Sequence, residues 1–264
     1  MIVWMNAVKS MSRSSTVLLL LSVLMTVPAI TWAEQATVAV ASNFSLTAKR
    51  LVHDFQRRSG HRLVLISGAS GKLFAQISQG APFDLFLSAD QAKPQRLTEM
   101  GWAAPDSRFT YAMGRLALWS KSAAFVDATA LRDQNYARLA LANPRLAPYG
   151  AASLEVLRNL GLVEATRPKW VHGENVSQVF QFVFSGNADL GFVALSHLLE
   201  AEGVEGAWWA VPEDLHAPIK QDAILLKQAR LNPAASGFHA YLQTEAAREV
   251  IQRSGFRTKV EKVL

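Results

Sequence analysis

Residues 68–73 read GASGKL, and the SGK core has the look of a nucleotide phosphate-binding loop. That loop requires G-x-x-x-x-G-K-[ST]. Ile66 stands where its first glycine belongs, and Leu73 where its magnesium-binding hydroxyl belongs, so nucleotide hydrolysis is excluded. The stretch lies between a strand-like run and a helix-like run, and its remaining chemistry is anion binding. Gly68 and Gly71 let the backbone turn, and Ser70 falls at or near the start of the next helix. A helix start offers free N–H groups and the positive end of a dipole.

Three further stretches have the same character. VASNFS places Ser42 and Asn43 at a helix start, APYGAAS places Tyr149 and Gly150 behind Pro148, and GENVSQ places Asn175 and Val176. Each helix start carries roughly half a positive charge. Four that converge would present about +2, the complement of a tetrahedral dianion, without Lys or Arg. Lys72 beside Ser70 is expected to point along its helix into solvent.

Other reactive side chains give less. Asp84 and Asp90 are expected to bind backbone amides and to face away from any bound anion, which a carboxylate would repel. The six histidines (His53, His61, His172, His197, His216, His239) have no metal-ligand spacing and are expected in surface or capping roles. With no cysteine, disulfides, thiolate metal sites, a cysteine nucleophile and a lipid-bearing cysteine are all excluded. No Ser-His-Asp arrangement or metal cluster is evident, so no enzyme activity is expected.

The elements that must position these starts alternate. Strand-like runs at 37–41, 62–66 and 84–88 are separated by helical runs, the first with Ala48, Leu51, Val52 and Phe55 at i, i+3, i+4 and i+7 and a stop at Gly60. The alternation recurs with strands at 115–119, 137–142, 190–194, 207–211 and 223–227, and Trp208 and Trp209 are expected to pack in the core. The expectation is an α/β fold of two lobes, each a mostly parallel sheet flanked by helices, with strands near 115–119 and 222–227 crossing between them and a ligand in the cleft. The expected organisation is a leader at 1–33, one lobe from 34–117 plus 228–264, and a second from 118–227.

The leader expectation rests on Lys9 and Arg13, the apolar run Thr16–Val27, and TWA at 31–33 as a cleavage site. The run is too short to span a bilayer. The mature product is expected in the periplasm. Removing the leader lowers the formal net charge from +6 to +4. The charges are scattered, and no nucleic-acid face is expected.

The blocks VASNFS, SGASGKLFAQISQGAPFDLFLSAD, SRFTYAMGRLALWS and NVSQVFQFVFSGNADLGFVALS together resemble the periplasmic molybdate-binding proteins of ABC importers, through most of the mature chain. The resemblance implies a two-lobed (type II) periplasmic binding protein, a monomer, that carries molybdate or tungstate to an inner-membrane ABC permease. It implies no cofactor, and metal is met only as the oxyanion. Carried over position by position, hydroxyl and amide ligands fall on Ser42, Asn43 and Ser70, and backbone-amide ligands on Tyr149 and Val176. Some members place a tyrosine hydroxyl after the late strand; Ala194 stands there, so that contact is absent. Binding of sulfate, thiosulfate or another tetrahedral oxyanion is the alternative within the fold, and a periplasmic ester hydrolase the alternative outside it.

Overall fold

A computed structural model of the chain describes residues 33–258. The expected leader lies outside these residues except for Ala33. The first sheet has the order β2-β1-β3-β10-β4 and the second β7-β6-β8-β5-β9. The strands of the first are β1 (Gln35–Ala41), β2 (Arg62–Gly68), β3 (Leu85–Leu87), β4 (Phe109–Gly114) and β10 (Ile219–Leu225). Those of the second are β5 (Leu116–Ser120), β6 (Leu139–Ala142), β7 (Trp170–Gly173), β8 (Leu190–Ala194) and β9 (Ala207–Ala210). Each sheet has three parallel strands, then a fourth that runs antiparallel to them and a fifth that pairs antiparallel with the fourth and so runs with the first three. The two sheets therefore share one plan.

Helices cover both faces of the first sheet, so its strands are apolar on both sides. Val38 and Val40 join Phe44, Ala48, Leu51 and Phe55 under α1 (Ser45–Ser59), together with Phe238 and Ile251 of α9 (Pro233–Tyr241) and α10 (Glu245–Arg253). Ala39, between the two valines, packs on the opposite face with Leu73 and Ile77 of α2 (Ser70–Ser78) and Leu97 of α3 (Ala92–Glu99). The period-2 alternation of a strand thus feeds two separate clusters. Helix α1 ends on Gly60 in the left-handed conformation (φ 72°), the stop its sequence announces. In the second sheet Trp119 stacks on Phe180, centroids 5.0 Å apart, beneath α7 (Val176–Phe184). Gly191 lets that helix sit close, because a Cβ there would lie 2.6 Å from Val183 Cγ2. Helices α4 (Ala128–Asp133), α5 (Pro148–Asn159), α6 (Val163–Thr166) and α8 (Leu195–Glu200) complete the second layer.

Several sequence expectations differ from this architecture. The edge strands β4 and β7 carry no clear strand signal of their own; their partners make them strands. The late strand expected at 223–227 runs from Ile219 to Leu225 and pairs with β3 and β4, so it belongs to the first sheet and not to the segment 118–227 of the expected second lobe. The chain crosses at Arg115, the single residue between β4 and β5, and returns through 211–218. A hydrophobic run announces a strand but not its partners. Trp209 packs on the second core, but Trp208 is 43% exposed, because β9 is an edge strand with one face in solvent.

Candidate functional site

The four helix starts follow β1, β2, β6 and β7, at the carboxyl ends of parallel strands, where open α/β sheets bind ligands. After β1 a short 3₁₀ turn, Ser42–Phe44, leads into α1 and buries Ser42 and Asn43. After β2, Ala69 is the N-cap of α2 and Ser70 its first residue; no side chain caps this helix. Ser70 is thus inside the helix and not its cap. After β6, Pro148 opens α5 and Tyr149 follows. After β7, Asn175 caps α7 by accepting from Gln178 N at 3.1 Å, and Val176 is the first residue.

Tertiary structure brings all five predicted residues to one place. Ser42, Asn43, Ser70, Tyr149 and Val176 line a single cavity between the sheets, with Ala89, Pro148 and Asn175. Its volume is about 10 Å³, far below the roughly 300–1,000 Å³ of sites for drug-sized ligands. No charged side chain lines it among the described residues. The first N–H groups of a helix have no partner in their own helix. Several neighbours are already engaged: Gly71 N donates to Leu146 O at 2.9 Å, Gly150 N to Ala147 O at 2.9 Å, and Gln178 N to the Asn175 cap. The amides of Ser70, Tyr149 and Val176 remain. Ser70 Oγ accepts the Ala89 amide at 3.0 Å, so its own proton is free to be donated. The lining is therefore a set of uncharged donors, suited to an anion small enough to be surrounded.

The side chains of the set do not all point the same way. Asn43 Nδ2 donates to Gln221 Oε1 at 3.0 Å and to Tyr149 Oη at 3.5 Å. The Tyr149 ring is buried, and burial pushes its hydroxyl pKa well above the ordinary value, so it stays protonated. Its hydroxyl reaches Gly114 of β4.

Contacts from the second sheet grip the first-sheet loops around the cavity. Ser177 Oγ donates to Ser42 O and Ser196 Oγ to Asn43 O, both at 3.0 Å. The buried Glu200 carboxylate accepts from Thr47 Oγ1 and Ser254 Oγ and pairs with Arg50. Sequence reasoning missed these residues; Ser177 and Ser196 have no local signal beyond being polar on helices. Lys72 lies off the cavity and pairs with Glu174 across the cleft at 3.1 Å. Both groups are largely exposed, so the pair is worth no more than about 1 kcal/mol. Asp84 accepts from Thr37 N, and Asp90 from Lys93 N while pairing with the Lys93 ammonium; neither lines the cavity.

Two histidines expected in surface or capping roles, His197 and His216, are buried; His197 is covered where α8 packs on α1 and the Ser42–Phe44 turn. His197 Nε2 lies 3.2 Å from Ser177 Oγ and 3.4 Å from Ser42 O, and Nδ1 has no partner. Burial lowers its pKa from 6.5 to about 4. A histidine with a depressed folded pKa contributes stability that is present above the unfolded value and lost as pH falls toward the folded one. Stability is thus expected to fall between about pH 6.5 and 4, by about 3 kcal/mol from this residue. Burial depresses His239 as well, so the comparison that isolates His197 is urea unfolding of wild type against His197→Gln at pH 7, 5.5 and 4. Parallel curves would remove His197 as the source.

Residues 36–257 match the family described as "Bacterial extracellular solute-binding protein". The molybdate-binding protein ModA of Rhodobacter capsulatus is 44% identical over 228 residues, spanning 86% of this chain and 90% of the relative. ModA of Azotobacter vinelandii is 43% identical over 227 residues, 85% of this chain and 90% of the relative. The solved Azotobacter vinelandii periplasmic molybdate-binding protein superposes with a TM-score of 0.81 at 36% identity, over 84% of this chain and 99% of that one. The sulfate-binding protein SubI of Mycobacterium tuberculosis shares the fold, with a TM-score of 0.70 at 14% identity over 86% of this chain and 88% of that one.

Proposed function

Since the chain belongs to the bacterial extracellular solute-binding protein family, we propose that it captures molybdate or tungstate and presents it to an ABC permease. The observation that carries this reading is the convergence of Ser42, Asn43, Ser70, Tyr149 and Val176 on one small cavity without charged walls. We assign these five as the oxyanion ligands: hydroxyls of Ser42 and Ser70, and amides of Asn43, Ser70, Tyr149 and Val176. The similarity to ModA proteins of two organisms supports molybdate over sulfate. The protein performs no chemistry on the anion.

Binding works by closure. The lobe built on the first sheet supplies Ser42, Asn43 and Ser70; the lobe built on the second supplies Tyr149 and Val176. The lobes rotate about Arg115 and the 211–218 return. An anion held by both favours the closed arrangement by as much as it gains from the second lobe. The permease reads that closed form. The site of action is the periplasm, the working unit is a monomer, and nucleic acid is not a partner. Among the described residues no helix is long and apolar enough to cross a membrane.

Thermal unfolding tests the ligand class. A ligand at about 100 times its Kd adds about 2.7 kcal/mol, and a domain of this size gains roughly 2–4 °C per kcal/mol. Micromolar molybdate and tungstate are expected to raise the Tm by about 5–10 °C, with sulfate and phosphate at the same concentration doing much less. Equal shifts with sulfate or phosphate would replace the ligand assignment by a general tetrahedral-anion one.

A further inference from the structure

We propose that Gln221 is a positioning residue for the anion site: it sets the Asn43 side chain and, through it, the backbone of residues 42 and 43 that lines the cavity. The proposal rests on the reading of that cavity as the oxyanion site. Gln221 is fully buried on β10, the strand that carries the chain back into the first sheet. Its register with β4 is broken. Gln221 pairs with Ala112 and Asp222 with Thr110, so Tyr111 has no partner across the ladder. A bulge of this kind re-aims side chains. Here the Tyr111 hydroxyl lies 3.1 Å from Gln221 Oε1 and 3.2 Å from Ser88 O. The next residue, Asp222, is held by Thr110, Gln91 and Arg108, which pins the strand beside the bulge.

The carbonyl of Gln221 is thus a junction. It accepts from Asn43 Nδ2 at 3.0 Å and from Tyr111, while Tyr149 Oη receives the other contact of Asn43. The Asn43 amide thus links Gln221 of the first sheet to Tyr149 of the second lobe. Gly114 keeps the meeting point open: a Cβ there would lie 2.2 Å from Tyr149 Oη and 2.8 Å from Gln221 Nε2. Gln221 Nε2 makes no hydrogen bond of ordinary geometry among the described residues, although it interacts with the Tyr149 hydroxyl. A buried unpaired donor lowers stability, and an apolar residue of the same shape would avoid that loss. Gln221 Oε1 satisfies two buried donors, which favours the fold; one of the two is the Asn43 amide, so the same oxygen also orients the first loop.

The test is a double-mutant cycle read by calorimetric titration with molybdate and, in parallel, sulfate. Gln221→Met keeps the shape and removes the acceptor, and is expected to weaken molybdate binding about 10-fold, equivalent to about 1.4 kcal/mol. If Gln221 acts through Asn43, adding Gln221→Met to Asn43→Ala should cost no more than about 3-fold further. Tyr111→Phe, which leaves Gln221 in place but removes its second donor, should weaken binding by about 3-fold. Molybdate binding of Gln221→Met within about two-fold of wild type, or losses that multiply in the double mutant, would overturn the proposal. Should Gln221→Met fail to fold, unchanged binding by Tyr111→Phe overturns it. Wild type that binds sulfate and not molybdate would instead sink the ligand reading, and the same cycle would then be read in sulfate.

Discussion

Replacing Gly114 by alanine is expected to weaken molybdate binding by about 100-fold while changing the stability of the unliganded protein by less than about 1 kcal/mol. The new Cβ would lie 2.2 Å from Tyr149 Oη and 3.0 Å from its Cζ. Tyr149 is almost fully buried and has little room to swing aside, since the ring packs in the second core. The contact joins the two lobes: Gly114 ends β4 of the first sheet, and Tyr149 begins α5 beside the second. The clash is relieved when the lobes part, and parting withdraws the Tyr149 and Val176 amides from the anion. It also breaks the Gly71–Leu146 backbone bond and the Ser177 and Ser196 bonds to the first loop. Overpacking typically costs about 1–3 kcal/mol, and a contact this short belongs at the upper end. The Tyr149 part of the cost falls on the closed arrangement and appears as lost affinity, whereas the 2.8 Å contact with the flexible Gln221 amide, within the first sheet, is met by a small side-chain shift in either arrangement. Calorimetric titration and urea unfolding of the same variant separate the two. Wild-type affinity, or a loss of unliganded stability as large as the loss of binding, would contradict a closing motion at this hinge.

Ser70→Ala is expected to reduce both quantities, and for different reasons. On the proposed assignment the hydroxyl donates to the anion, and a hydrogen bond to a charged group is worth about 1.5–3 kcal/mol. Affinity should drop by about 10- to 150-fold. The same oxygen accepts the buried Ala89 amide at 3.0 Å. Its removal leaves that N–H without a partner, at about 1–3 kcal/mol of folding stability. Capping does not enter, since Ala69 is the cap residue and no side chain caps α2. Molybdate titration and unliganded urea unfolding again give the two readings. Reduced stability with unchanged affinity would leave Ser70 holding only the Ala89 loop.

The site was legible in the chain to an unusual degree because each of its pieces is local. A strand, a small or polar residue and a helix start lie within about six residues of one another in VASNFS, GASGKL and APYGAAS, and local geometry alone offers N–H groups there. The same holds for α1, whose buried Ala48, Leu51, Val52 and Phe55 follow from period, and for its end at Gly60. What local pattern could not carry was partnership. FTYAMG and WVHG are strands because β10 and β6 lie beside them. The segment 219–225 reads as a strand in any lobe, and only its ladders with β3 and β4 place it in the first.

The gap is widest for residues that act across the cleft. Gln221 belongs to no motif, Tyr111 and Gly114 carry no local sign of a role inside SRFTYAMGRLALWS, and Ser177, Ser196 and His197 look like ordinary helix residues, yet together they hold the loops that line the cavity. The sequence by itself determined the alternation of strands and helices, the four uncharged helix starts and the absence of thiol chemistry, since propensity, period and capping act between residues a few positions apart. Tertiary structure alone decided that the four starts face one cavity, that β10 rejoins the first sheet, and that a glutamine between the lobes anchors Asn43. Those outcomes depend on contacts between residues 106 and 178 positions apart, as for Asn43 with Tyr149 and Gln221. The first forms only when the two lobes pack and the second only when β10 joins the first sheet, and no short-range pattern encodes either.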